Sequence, residues 1–202
     1  DVSSTFTLMG KSVIALLIQL GGIGIMTFTS FFGLFFIGKH LTQNKLLIKD
    51  LIDPEKGIGQ IFKTPWYIIF VTFTVELIGA YSIFVSIEGN SWNDVGFAIF
   101  HSISAFCNAG FDILGNNSMV PYVGNVWINL VICGLIIAGG LGFVVWIDLR
   151  LSLIHYREHF KYFKIKRYLE SLSLHTKIAL ISSFVLIFGG MTVIFILEFQ
   201  NP

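Results

Sequence analysis

The chain has 202 residues, of which 54% are hydrophobic and only 12% charged. Soluble domains carry about 25% charged residues, so the composition excludes a water-soluble enzyme or nucleic-acid-binding domain and indicates a membrane protein. The net charge of +1 carries little information, whereas the placement of the charges carries a great deal.

Four apolar segments are long enough to span a bilayer, which takes roughly 20 helical residues. They are Ser12–Gly38, Pro65–Ile87, Tyr122–Ile147 and Leu174–Phe199. A fifth, Trp92–Phe106, is amphipathic and about half as long, and reads as a re-entrant helix. The first apolar run is too long for a cleavable signal and lacks a basic leader. The chain opens at Asp1 without a Met and stops at Pro202 just after an apolar run, so it reads as a piece of a longer polypeptide.

With the spans alternating, loop 39–64 and segment 148–177 share one side and hold 12 of the 13 basic residues. Only Lys11 lies opposite, together with the acids Glu88, Asp94, Asp112 and Glu198. The positive-inside rule makes the basic side cytoplasmic. The stretch 92–111 therefore enters from outside, in a cell's plasma (inner) membrane. Trp66, Trp92 and Trp127 fall near span ends, where aromatic belts form.

An internal repeat is visible. Gly21-Gly22-Ile23-Gly24 recurs 118 residues on as Gly139-Gly140-Leu141-Gly142, and Gly79…Glu88 recurs 110 residues on as Gly189…Glu198. The unit is an outer helix, a re-entrant loop and an inner helix. The expected organisation is 1–38, inner helix of a first repeat; 39–64, cytoplasmic loop; 65–150, a complete second repeat; 151–173, basic cytoplasmic segment; and 174–202, outer helix of a third. At the same offset, the loop of the first repeat would end just before Asp1. The expected fold class is an all-α polytopic membrane protein of helix–pore loop–helix repeats, as in K+ channels, with four full spans and one re-entrant pore helix.

The stretch after the short helix carries the chemistry. A dehydrated cation needs oxygen ligands, and rings of backbone carbonyls provide them without fixed charge. A helix pointing its carboxyl end at the ion adds about half a negative charge. Cys107, Asn108, Ala109, Gly110 and Phe111 are the candidate selectivity filter, read as extended backbone. Gly110 is the residue most needed, since only glycine readily takes the backbone angles that line up successive carbonyls. Phe111 is expected to pack behind the filter, and Ser102 and Ser104 to satisfy free backbone groups around the turn.

Ser-Ala-Phe-Cys-Asn-Ala-Gly-Phe at 104–111 after a short helix, with Gly-Gly-[Ile/Leu]-Gly in the inner spans, resembles the Trk/Ktr/HKT superfamily of potassium transporters. Over nearly the whole chain the resemblance is strongest to the Ktr-type membrane subunit. Gln19–Thr27 resembles that family's first inner helix, and Glu76-Leu77-Ile78-Gly79-Ala80 its second outer helix. The resemblance implies four repeats around one pore, each giving one filter glycine, with Gly110 that of the second. A glycine rather than a serine there implies K+ as the transported ion, with Na+ a possible coupling ion and no covalent cofactor. It further implies a homodimer of the complete chain on a cytosolic nucleotide-binding regulatory subunit. A one-filter channel subunit assembling as a tetramer is the competing reading.

Other residues carry plainer roles. Glu76 is an acid inside a span, where acids face a partner or a cavity, and is expected to support the pore, as is Ser104. Gln19 is placed to hydrogen-bond between helices. Gly134, Ala138 and Gly142 form a small-residue stripe for close helix packing. His101 and Cys107 could suggest a nucleophile pair, but no acid is placed to orient them, and no catalysis is expected. The basic, aromatic stretch from Arg157 to Arg167 is read as a cytoplasmic surface for anionic lipid or a regulatory partner, not for nucleic acid.

Overall fold

Long apolar runs in hydrocarbon must satisfy their own backbone hydrogen bonds, and a helix does this within one segment. The computed structural model describes residues 2–40, 57–89, 91–115, 118–159 and 165–199, and all regular structure among them is helical. The order is α1 (Val2–Thr5), α2 (Leu8–His40), α3 (Gly57–Ser86), α4 (Trp92–Phe106), a 3-10 turn (Val120–Tyr122), α5 (Val126–Gly140), α6 (Phe143–His159), α7 (Ile165–Ser171) and α8 (Leu174–Glu198). Most of loop 39–64, including Lys45, Lys49 and Lys56, lies outside the described residues, as do Lys161 and Lys164.

Two compact units are present, Asp1–Gly140 and Leu141–Pro202. In the first, α4 packs on α3 and α5, and α2 touches both α3 and α4. The short helix is thus the centre of the unit rather than an appendage. Phe97, Ala98, Phe100, His101, Ser102, Ser104, Ala105 and Phe106 are all buried, which covers most of the circumference of its inner turns. Ile68 and Ile83 of α3 and Ile128 of α5 are fully buried.

Polar ties join the end of α3 to the start of α5. Asn125 caps α5 by accepting from the Ile128 N–H (3.2 Å), and its amide donates to Ser86 O at the end of α3 (2.9 Å). Asn129 donates to the carbonyls of Tyr122, Val123 and Asn125, holding the 3-10 turn over the start of α5. The starts of α2 (Leu8) and α5 (Val126) are 118 residues apart. The same separation relates α1 (Val2) to the 3-10 turn (Val120).

Two of the expected spans are long, apolar helices, Trp66–Ser86 and Leu174–Glu198. The first, expected over Ser12–Gly38, lies within the continuous helix α2. The third, expected as one helix over Tyr122–Ile147, is broken. α5 stops at Gly140, Gly142 takes φ 78, and α6 starts at Phe143. Left-handed glycine is the common way to end a helix, and Gly-Gly-Leu-Gly provides it. At 15 residues α5 is about 22 Å long, short of the roughly 30 Å hydrocarbon core.

In the second unit α6 packs on α7 and α8. Ser173 caps α8 by accepting from the Thr176 N–H (3.3 Å). The Asp148 carboxylate of α6 accepts from both the N–H (3.0 Å) and the hydroxyl (2.9 Å) of Ser173. Tyr168 of α7 donates its hydroxyl to Leu149 O (3.0 Å). Beyond Thr176, α8 buries almost nothing within its unit, and a helix apolar all round is one made for lipid or further protein.

Candidate functional site at the end of the short helix

The helix α4 starts and stops by local chemistry. Ser91 Oγ accepts from the Asp94 N–H (3.2 Å), and the Asp94 carboxylate accepts from the Ser91 N–H (3.0 Å), a reciprocal capping box. That acid also faces the positive end of the helix dipole.

The carboxyl end closes differently from the extended strand expected over Cys107–Phe111. Cys107 is the C-cap (φ −75°, ψ 0°), and its N–H donates to Ile103 O (2.9 Å). Asn108 follows with φ 54. The Asn108 N–H donates to Ala105 O (3.1 Å) and the Ala109 N–H to Ser104 O (2.9 Å). These paired bonds around a left-handed residue are a Schellman motif, in which asparagine is the usual substitute for glycine. Cys107 and Asn108 therefore belong to the cap, and the chain leaves the helix at Ala109. Gly110 takes φ 71, a left-handed angle that glycine adopts readily.

Ser104 holds the loop at both ends. Its carbonyl takes the Ala109 N–H, and its hydroxyl donates to Phe111 O (2.6 Å). The Phe111 carbonyl is thereby turned back toward the helix. Phe111 itself is 48% exposed, so its ring does not pack behind the loop within this unit. Among the described residues, the carbonyls of Ala109 and Gly110 accept no hydrogen bond. Asp112 closes the following turn, accepting from the Leu114 N–H (3.1 Å) and the Ser118 hydroxyl (2.8 Å).

Behind the cap lies a buried polar cluster. Glu76 of α3 is 4% exposed, and its backbone carbonyl accepts the Ser102 hydroxyl (2.6 Å). Its side chain faces the Cys107 thiol, with Sγ 3.9 Å from Oε1. The Gln19 amide of α2 adjoins the same carboxyl, but neither of its polar atoms reaches hydrogen-bonding geometry with any described group. Gln19 also lines a cleft of about 910 Å³ between α2, α3 and α4, whose wall includes Lys11, Asp94, Phe97 and Phe100. So Ser102 serves α3 rather than the turn, while Ser104 does serve the turn.

His101 and Cys107 do not pair. The His101 Nδ1–H donates to Phe97 O (2.8 Å), and the ring stacks on Phe97 with centroids 4.1 Å apart. Cys107 and Cys133 are both free thiols.

Two glycines let helices touch this turn, and neither belongs to the stripe expected at 134, 138 and 142. A Cβ on Gly139 of α5 would collide with the Phe106 carbonyl oxygen, whereas one on Gly134 or Gly142 would meet nothing within 4 Å. A Cβ on Gly22 of α2 would come within 2.5 Å of Cys107 Sγ. Sequence pattern flagged the Gly-Gly-x-Gly motifs, but which glycine takes the contact depends on helix rotation.

The architecture is that of an α-helical membrane protein built around a short buried helix whose carboxyl end is stapled to its neighbours. The family model TrkH, described as a cation transport protein, matches residues 1–201, and the chain belongs to that family, as a membrane subunit of the Trk/Ktr type. It is 34% identical over its full length to the Ktr system potassium uptake protein B of Bacillus subtilis, covering 42% of that protein. It is 33% identical to the potassium/sodium uptake protein NtpJ of Enterococcus hirae, over 94% of this chain and 39% of that one. The Ktr system potassium uptake protein B of Vibrio alginolyticus is 32% identical, over 100% of this chain and 42% of its own. The chain thus spans about two-fifths of the length of these relatives.

Proposed function

We propose that this chain supplies one filter of a K+ uptake pathway, with ions passing the Ala109 and Gly110 carbonyls beyond the end of α4. The observation that carries this is the turn itself. A buried helix too short to span is closed by left-handed Asn108, left-handed Gly110 follows, and Ser104 bridges the loop. Such a turn presents carbonyls and the negative end of a helix dipole at one point, and irregular backbone at membrane depth is tolerated only in protein or a watery cavity. Family membership and the names of the relatives, which are potassium or potassium/sodium uptake proteins, support the same reading.

The filter is one of four in the complete chain. The shared 118-residue spacing of the Gly-Gly-x-Gly motifs and of the helix starts at Leu8 and Val126 supports repeats. Cys107 and Asn108 act as cap, Glu76 and Ser104 as support, and Phe111 as the outer anchor. The filter enters from outside, with loop 39–64 and segment 148–177 in the cytoplasm. Na+ as coupling ion, a homodimer and a cytosolic nucleotide-binding subunit belong to the same reading and rest on the family. In cells lacking their own K+ uptake, the complete protein restores it, and Gly110→Ser lowers the K+/Na+ flux ratio. An unchanged ratio at equal abundance would refute Gly110 as a filter residue.

A further inference from the structure

We infer that the side-chain amide of Asn108 is a positioning residue for ion selectivity: it clamps the last carbonyl of α4 to the backbone of α5 and so fixes the loop that carries Ala109 and Gly110. The inference rests on the filter reading above and assigns a specificity role to a side chain that touches no ion.

The last four carbonyls of a helix have no partner within it. Here the last regular helix bond takes the Cys107 N–H to Ile103 O, and the Schellman pair serves Ser104 and Ala105, whose oxygens take the N–H groups of Ala109 and Asn108. The Phe106 carbonyl accepts from a side chain, Asn108 Nδ2, at 3.3 Å. The same nitrogen lies 3.4 Å from Ile136 O on α5. Both partners are carbonyl oxygens, so the NH2 and not the amide oxygen must face them, each of its two hydrogens having one acceptor.

Gly139 makes the clamp possible. Any side chain there would push the Phe106 carbonyl off α5, and a Cβ on the adjacent Gly140 would have Asn108 Nδ2 as its near neighbour at 4.0 Å. One amide therefore joins the end of α4, the turn and α5 immediately before the filter residues.

The backbone does not need this amide. A left-handed position is filled most easily by glycine, as at Gly110, so the turn alone does not account for asparagine at 108. Losing the amide removes its bonds to Phe106 O and Ile136 O, so the end of α4 is held less firmly against α5 and the carbonyls just downstream lose their fixed spacing. A filter that cannot hold its spacing discriminates K+ from Na+ less well.

The test is N108G and N108D in the complete protein, reconstituted in proteoliposomes, with K+ and Na+ fluxes measured beside protein abundance. N108G keeps the left-handed turn and removes the amide. N108D keeps the shape and replaces the donor by an acceptor, and it carries the test should N108G not reach the membrane. Both are expected to lower the K+/Na+ flux ratio about two- to tenfold, the weight of one hydrogen bond, at near-normal abundance. A wild-type ratio in either, or a loss of flux that only follows abundance, overturns the inference. G110S measured alongside separates the two failures. If G110S lowers the ratio and the Asn108 variants do not, the clamp alone is wrong. If none of the three lowers it, the filter reading fails and the clamp with it.

Discussion

Gly139→Ala adds one methyl group where the structure has a backbone oxygen. The Phe106 carbonyl occupies the space a Cβ would need. A flexible side chain could swing aside, but this obstacle is the end of α4, held by the Schellman bonds and by Asn108. Overpacking a well-packed site costs about 1–3 kcal/mol, and a backbone obstacle places this one near 3 kcal/mol, on the order of a hundredfold in the folded ratio. Gly134→Ala on the same helix is the internal control. Its Cβ meets nothing within 4 Å, so that substitution is expected to gain up to about 1 kcal/mol from reduced backbone entropy. Thermal unfolding of the complete protein in detergent reads both. The expected result is a lowered midpoint for G139A and an unchanged or raised one for G134A. Equal behaviour of the two would refute the contact between α5 and the end of α4.

Ser104→Ala removes the hydroxyl that holds Phe111 O. It is expected to cost about 1 kcal/mol and to lower the K+/Na+ flux ratio, and full selectivity in S104A would contradict the bridge. Asp148→Ala takes away the acceptor for both the N–H and the hydroxyl of Ser173. It is expected to loosen the α7–α8 connection by about 1 kcal/mol, seen as faster limited proteolysis near Leu172, and unchanged cleavage would show that the tie contributes nothing.

Hydrophobic length makes the coarse helical architecture legible. The short helix occupies the bounds its sequence predicts, Trp92–Phe106, because Ser91 and Asp94 cap its start and Asn108 its end. The apolar helices Trp66–Ser86 and Leu174–Glu198 lie within a residue of the spans read from sequence. The span expected over Tyr122–Ile147 is two helices rather than one. Hydropathy is continuous across 122–147, and the break comes from a left-handed Gly142 that hydropathy does not see. The extended backbone expected at Cys107 and Asn108 is a helix cap instead, and the signal for it is present, since asparagine just after a helix is a left-handed cap. The exposure of Phe111 and the choice of Gly139 over the Gly134 stripe follow from helix rotation and from which neighbours are present. Neither is written in residue spacing.

The most direct test of the filter is to see the ion. Rb+ or Tl+ soaked into the complete protein should give density in direct contact with the Ala109 and Gly110 carbonyls, beyond the end of α4. Ion density along the pathway that avoids these two oxygens, or carbonyls turned away from it, would contradict the account.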